Sequence, residues 1–103
     1  MENADAILSN PYVDIAFLGM YDLSVSFGEA GNLQNPSLAK GVEQVIASAH
    51  KHGKVIGMYV SDSEAARKWL DKGVTFFETI SEIDLISEGA RSTVREFRAL
   101  IGK

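Results

Sequence analysis

The sequence predicts an α/β fold in which three parallel strands alternate with four helices. Three apolar runs are typical of strands, at about residues 13–18, 55–60 and 74–80. Stretches with apolar residues at helical spacing separate these runs, and glycines or prolines mark their ends. Strands that are connected through helices pair in parallel with right-handed crossovers. We therefore expect residues 1–103 to form a single segment around one small sheet.

The first elements lie before a long loop. Ala4 to Leu8 forms a short helix that stops before the turn signal Asn10-Pro11. The apolar run Val13 to Leu18 is the first strand, and Gly19 ends it. We expect a loop from Asp22 to Gln34, because glycines and short polar residues interrupt this stretch.

The second helix has clear start and stop signals. Asparagine is a preferred N-cap and proline suits the first helical position, so Asn35 and Pro36 open it. An apolar stripe at helical spacing follows, and Gly53 ends the helix. Val55 to Val60 then forms a strand whose run is apolar without alternation, which is typical of a strand covered on both faces.

The last elements repeat this alternation. Ser61 and Glu64 have the spacing of a capping box, which predicts a third helix that stops at Gly73. A strand at 74–80 and a helix from about Ile83 to Ile101 complete the chain. Three strands leave two sheet edges with unpaired backbone groups, so we expect part of a larger fold or an obligate oligomer.

The composition narrows the classes of partner. A net charge of −4 gives no reason to expect nucleic acid or an anionic membrane as a partner. The sequence lacks an apolar run near the roughly 18 residues that a membrane span needs. The absence of cysteine excludes disulfides and thiolate chemistry, and the acidic first residues do not resemble a signal peptide. We expect a cytoplasmic protein.

Candidate site residues follow the predicted strands, because parallel α/β sheets bind ligands at the carboxyl ends of their strands. Asp22 follows the first strand and could bind a divalent cation, or it could cap a turn. Tyr21 and Tyr59 could line a pocket or pack in the core. Asp62 and Glu82 lie at helix starts, where the helix dipole is the simpler explanation.

Residues 17–28 (F-L-G-M-Y-D-L-S-V-S-F-G) resemble a motif of the HpcH/HpaI aldolase family, roughly F-I-G-P-x-D-L-S-x-S-x-G. These are class II pyruvate aldolases of the phosphoenolpyruvate/pyruvate barrel superfamily. Residues 53–58 resemble the family's next strand, and residues 65–77 resemble its next helix and last strand. The resemblance covers nearly the whole chain and implies the C-terminal part of a TIM (β/α)8 barrel.

The resemblance also implies a function, the cleavage of a carbon–carbon bond in a 2-keto acid with release of pyruvate or an analogue. Asp22 stands where the family has a ligand for magnesium, manganese or cobalt, which stabilises the pyruvate enolate. The backbone around Gly19 and Tyr21 would contact the pyruvate carboxylate. Tyr59 stands where the family has an apolar pocket residue.

The chain departs from the family pattern at four positions. Met20 replaces a proline, Tyr21 replaces a small residue, and Ile80 and Ser81 replace a glycine-containing strand end. The family's glutamate ligand and its catalytic histidine and arginine precede the matched segment, so we expect this piece alone to be catalytically incomplete. Two copies of three strands fall short of the eight in a barrel. We therefore expect either a missing N-terminal barrel half as partner, or a non-catalytic half-barrel that serves as a homo-oligomerisation or regulatory module.

Overall fold

In residues 1–102, which the computed structural model describes, three strands and five helices alternate along the chain. Their bounds are α1 Ala4–Leu8, β1 Ile15–Leu18, α2 Met20–Ser26, α3 Pro36–Lys51, β2 Val55–Tyr59, α4 Ser63–Leu70, β3 Phe76–Glu78 and α5 Glu82–Leu100. The strands form one parallel sheet in the order β1-β2-β3. The predicted α/β class and strand direction are therefore confirmed.

Helix α2 lies where we expected the start of the long loop, so the predicted number of four helices is wrong. The backbone N–H of Leu23 donates to the carbonyl of Gly19 at 2.9 Å and closes the first turn. The hydroxyls of Ser24 and Ser26 donate to carbonyls of the preceding turn instead of competing with the helix. Short polar residues thus continue this helix, although they are more typical of turns.

The strands are shorter than predicted, because strand bounds depend on pairing. In the β1–β2 ladder, Ile15 pairs with Val55 at one end and Leu18 pairs with Met58 at the other. The β2–β3 ladder covers only three pairs, from Gly57–Phe76 to Tyr59–Glu78. Residues 13–14, 60, 74–75 and 79–80 lie outside the strands, although the sequence pattern predicts them inside.

The core lies between α3 and one face of the sheet. Several side chains of α3 and β2 are deeply buried here. They are Leu38, Val42, Ala49, Ile56 and Met58, and each is less than 2% exposed. The opposite face carries large apolar side chains that are 40–50% exposed, namely Ile15, Phe17, Val55, Tyr59 and Phe76. The expectation that β2 is covered on both faces is therefore wrong for this segment, in which helices cover one face.

The predicted caps are partly confirmed. Asn35 caps α3, and its side-chain oxygen accepts a hydrogen bond from the backbone N–H of Ser37 at 2.8 Å. Ser61 does not cap α4, because Asp62 takes this place and accepts from the N–H of Ala65 at 2.8 Å. The hydroxyl of Ser61 donates instead to the Asp62 carboxylate at 3.0 Å.

Helix α5 carries an apolar row that remains exposed. Ser81 caps its amino end, and Ile83, Ile86, Phe97 and Leu100 are each at least 66% exposed. The molecule is elongated, with extents of 61 × 29 × 22 Å. Within residues 1–102, no helix has both the length and the apolar character that a membrane crossing requires.

Candidate functional site

The carboxyl ends of β1 and β2 open onto a cleft of about 650 Å³. All four residues that the sequence predicts as site residues, Gly19, Tyr21, Asp22 and Tyr59, line this cleft. The rest of the lining comes from the start of α2, the loop before α3, the residues that follow β2, and α4, through Met20, Leu33, Gln34, Val60, Ser61, Ala65 and Trp69. The structure thus brings the candidate residues to one place at the edge of the sheet.

Asp22 lies in the first turn of α2, with an exposed carboxylate that turns back toward Gly19. A methyl group on Gly19 would lie only 3.0 Å from Asp22 Oδ2. Glycine at this position therefore leaves room for the carboxylate. In the described part of the chain, no side chain caps the amino end of α2, so the alternative role of Asp22 as a cap is not adopted.

The ligand set for a metal is incomplete within this chain. Among residues 1–102, no cluster of three or more histidine, cysteine, aspartate or glutamate residues could hold a metal ion. Asp22 fits a hard divalent cation, because such ions prefer oxygen ligands and its carboxylate faces the open cleft. Its carboxylate would be one ligand in a site that other residues must complete.

The two tyrosines line the cleft and do not belong to the buried core. Tyr21 is 63% exposed and Tyr59 is 50% exposed, so the alternative in which they pack inside is wrong. The ring of Tyr21 lies beside Gly31, where a methyl group would be 3.6 Å from Tyr21 Cε2. Tyr59 is paired in register with Glu78 at the end of β3. Both residues therefore lie at the surface of the cleft.

Of the two acidic residues predicted at helix starts, Asp62 has the expected structural role. The backbone N–H of Ala65 donates to the Asp62 carboxylate, and this bond, with a second from Ser61, holds the pKa of Asp62 below its ordinary value. Glu82 lies in the first turn of α5. Asp62 is occupied as a helix cap, which leaves Asp22 as the carboxylate that lines the cleft.

Sequence reasoning missed Leu33, Gln34 and Trp69 as lining residues. Trp69 follows Ala65 by four positions on α4, so helical spacing could have placed both on one face. No local signal marks Leu33 and Gln34. They reach the cleft because the loop folds back onto α2, where the N–H of Gly31 donates to Ser24 Oγ at 2.8 Å.

Parallel strands, helices that cover one face and a carboxylate at the carboxyl edge of the sheet place the chain in the class of parallel α/β proteins. The sequence model of one family, described as HpcH/HpaI aldolase/citrate lyase, matches residues 1–88. The chain belongs to this family, and the resemblance stated from its motif is confirmed.

Its relatives include named aldolases and a solved structure. The chain is 30% identical over 98 residues to a 5-keto-4-deoxy-D-glucarate aldolase of Klebsiella pneumoniae. It is 31% identical over 99 residues to a 4-hydroxy-2-oxo-heptane-1,7-dioate aldolase of Escherichia coli. These alignments cover 95% and 96% of the chain but only 38% of either relative.

The structural comparison agrees with this partial coverage. A crystal structure of an HpcH/HpaI aldolase/citrate lyase family protein from Burkholderia cenocepacia superposes with a TM-score of 0.83 at 26% identity. The match covers 94% of this chain and 38% of that protein. The chain thus has the fold of about two fifths of a family member.

Proposed function

We propose that this chain is the C-terminal segment of a metal-dependent 2-keto acid aldolase, which cleaves a carbon–carbon bond and releases pyruvate or a close analogue. The observation that carries the proposal is the exposed carboxylate of Asp22, which lies beside Gly19 at the carboxyl edge of the sheet and does not cap a helix. Two relatives with the same segment are named as aldolases of keto acids, which supports this choice of chemistry.

In this proposal Asp22 is a ligand for magnesium, manganese or cobalt. A divalent cation at this position supplies Lewis-acid polarisation of a keto oxygen. Gly19 permits close approach to the backbone because it has no side chain. The backbone at Gly19 and Tyr21 seats the carboxylate of the keto acid, and the Tyr59 ring limits the cleft on the β2 side.

The exposed apolar face of the sheet supports the proposal that a partner supplies the rest of a barrel. Ile15, Phe17, Val55 and Phe76 are each 40–48% exposed on this face. A barrel of this type buries such side chains in its interior, together with those of the remaining strands. We propose that an N-terminal barrel portion, on the same or another polypeptide, covers this face and adds the missing ligands.

The decisive experiment replaces Asp22 with alanine in the protein that carries the complete barrel. We expect metal-dependent pyruvate release to fall by at least about a hundredfold, because even indirect support of a metal ligand is worth 10–100-fold. Asp14→Ala is the matched control, since Asp14 is an exposed aspartate that comes directly before β1, whereas Asp22 follows the carboxyl end of this strand. Manganese binding, measured by calorimetry, should be lost only in the Asp22 variant. Undiminished pyruvate release by Asp22→Ala would rule out the assignment.

A second candidate function is a non-catalytic half-barrel that serves as an oligomerisation or regulatory module. The exposed apolar row of α5 and the open sheet face favour it. This alternative predicts a stable homo-oligomer without lyase activity, even after mixing with an N-terminal complement. A monomer in light scattering would argue against it, and native mass spectrometry would show whether a second polypeptide co-purifies.

A further inference from the structure

Ser24 of α2 is a fully buried polar residue beside the cleft. Its hydroxyl donates to the carbonyl oxygen of Tyr21 at 2.6 Å. The hydroxyl oxygen of Ser24 also accepts a hydrogen bond, from the backbone N–H of Gly31 at 2.8 Å. The first bond is a common one for serine in a helix. The second bond spans seven residues, and helix formation alone does not explain it.

The second bond joins two walls of the cleft. One wall is α2, which carries Tyr21 and Asp22, and the other is the loop of residues 28–34, which carries Leu33 and Gln34. A further bond from the N–H of Glu29 to the carbonyl of Ser24, at 3.0 Å, strengthens the junction. The loop therefore depends on Ser24 for its position on the helix.

The backbone conformation of Gly31 suits its hydrogen bond to Ser24. Its φ of +80° lies in the left-handed region that favours glycine, and this conformation presents its N–H to Ser24 while the Tyr21 ring lies beside its α-carbon. An alanine at position 24 removes the fully buried acceptor of this hydrogen bond, which opens the loop or leaves the N–H of Gly31 without its partner. Either result moves the loop wall relative to Tyr21.

We propose that Ser24 is a positioning residue for the keto acid site, which holds the 28–34 loop against α2 so that the two walls enclose the substrate. This proposal rests on the proposed aldolase function. In this proposal two residues of α2 have different roles. Asp22 binds the metal directly, whereas Ser24 affects the site only through the position of the loop. Substrate affinity should therefore depend on Ser24, whereas metal affinity should not.

The test uses the intact protein with its complete barrel, and compares Ser24→Ala with Ser26→Ala. Ser26 is the matched control, because it is an exposed serine of the same helix whose hydroxyl donates to the Asp22 carbonyl at 3.2 Å without reaching the loop. For Ser24→Ala, we expect a KM for the keto acid about tenfold higher, with kcat and manganese affinity within about twofold. Hydrogen exchange in residues 28–34 should accelerate. Ser26→Ala should leave all four quantities within about twofold.

Gly31→Ala is a second variant, in case Ser24→Ala does not fold. It keeps the Ser24 hydroxyl but strains the left-handed backbone on the loop side of the same bond, so it should give the same split between substrate and metal affinity. Equal loss of metal and substrate affinity in the variants would indicate general destabilisation and overturn the proposal.

Two further outcomes separate this inference from the function on which it rests. If the wild-type protein binds manganese and pyruvate and Ser24→Ala binds both equally well, the positioning role is overturned alone. If the wild-type protein binds neither, the aldolase function is overturned and the positioning role falls with it.

Discussion

The rings of Phe17 and Phe76 meet edge to face across the open side of the sheet, with centroids 6.2 Å apart and planes at 80°. They belong to β1 and β3, which are not neighbours, and Gly57 of β2 lies between them in register. A larger residue in the middle would separate the rings. The absence of a side chain at Gly57 therefore lets two outer strands contribute to one aromatic pair.

Gly57→Ala should destabilise the protein by about 1–3 kcal/mol, the usual cost of overpacking. A methyl group there would lie 2.7 Å from Phe76 Cδ1 and 2.8 Å from Phe17 Cδ2, so both rings would have to move. Urea unfolding measures the effect. Gly89→Ala is the control, because Gly89 lies in α5 with open space around it. This control should stabilise by up to about 1 kcal/mol through helix propensity. Equal stability of Gly57→Ala and wild type would contradict the aromatic contact.

Asn35→Ala should lower the free energy of unfolding by about 1–2 kcal/mol, because it removes the N-cap of the helix that covers the core. The Asn35 side chain is almost fully buried and accepts hydrogen bonds from the N–H groups of Ser37 and Leu38, at 2.8 and 3.4 Å. Asn35→Asp is the matched control, since aspartate offers the same acceptor. Thermal unfolding distinguishes the two variants. A similar loss in both would contradict the capping role, because aspartate keeps the oxygen that accepts these two hydrogen bonds.

The stability conferred by the Asp62 cap should depend on pH in the acidic range. The N–H of Ala65, followed by the Ser61 hydroxyl, lowers the folded-state pKa of Asp62 below its ordinary value of 3.8. A depressed folded-state pKa contributes stability that is present above the unfolded value and is lost as the pH falls through the folded value. Wild type should therefore melt above Asp62→Asn at pH 7, and the difference should shrink as the pH falls below 3.8.

The control for this pH dependence is Asp71→Asn. Asp71 is an exposed aspartate at the carboxyl end of the same helix, where it receives no side-chain capping bond that the structure describes. Its variant should not reproduce the decline in the melting difference below about pH 4. A wild-type advantage over Asp62→Asn that stays undiminished however far the pH falls below 3.8 would contradict the charged cap.

Much of the site could be predicted because its residues follow one strand directly. Gly19, Tyr21 and Asp22 come within four residues of Leu18, and the carboxyl-edge rule for parallel sheets brings them near Tyr59 at the end of β2. Leu33 and Gln34 could not be placed in this way. Their position depends on a hydrogen bond between Ser24 and Gly31, and neither the apolar periodicity nor a capping motif predicts this bond.

The sequence by itself determined that helices separate the three strands, that the strands are parallel and that Asn35 caps α3, because caps and apolar periodicity act within one or two turns. Only the tertiary structure decided where the strands end, that residues 20–26 form a helix, and that Phe17 and Phe76 share an open face. These features depend on pairing and packing between residues that are far apart in the chain. Local signals cannot specify such contacts, since a strand ends where its neighbour does and a face is buried only where another element covers it.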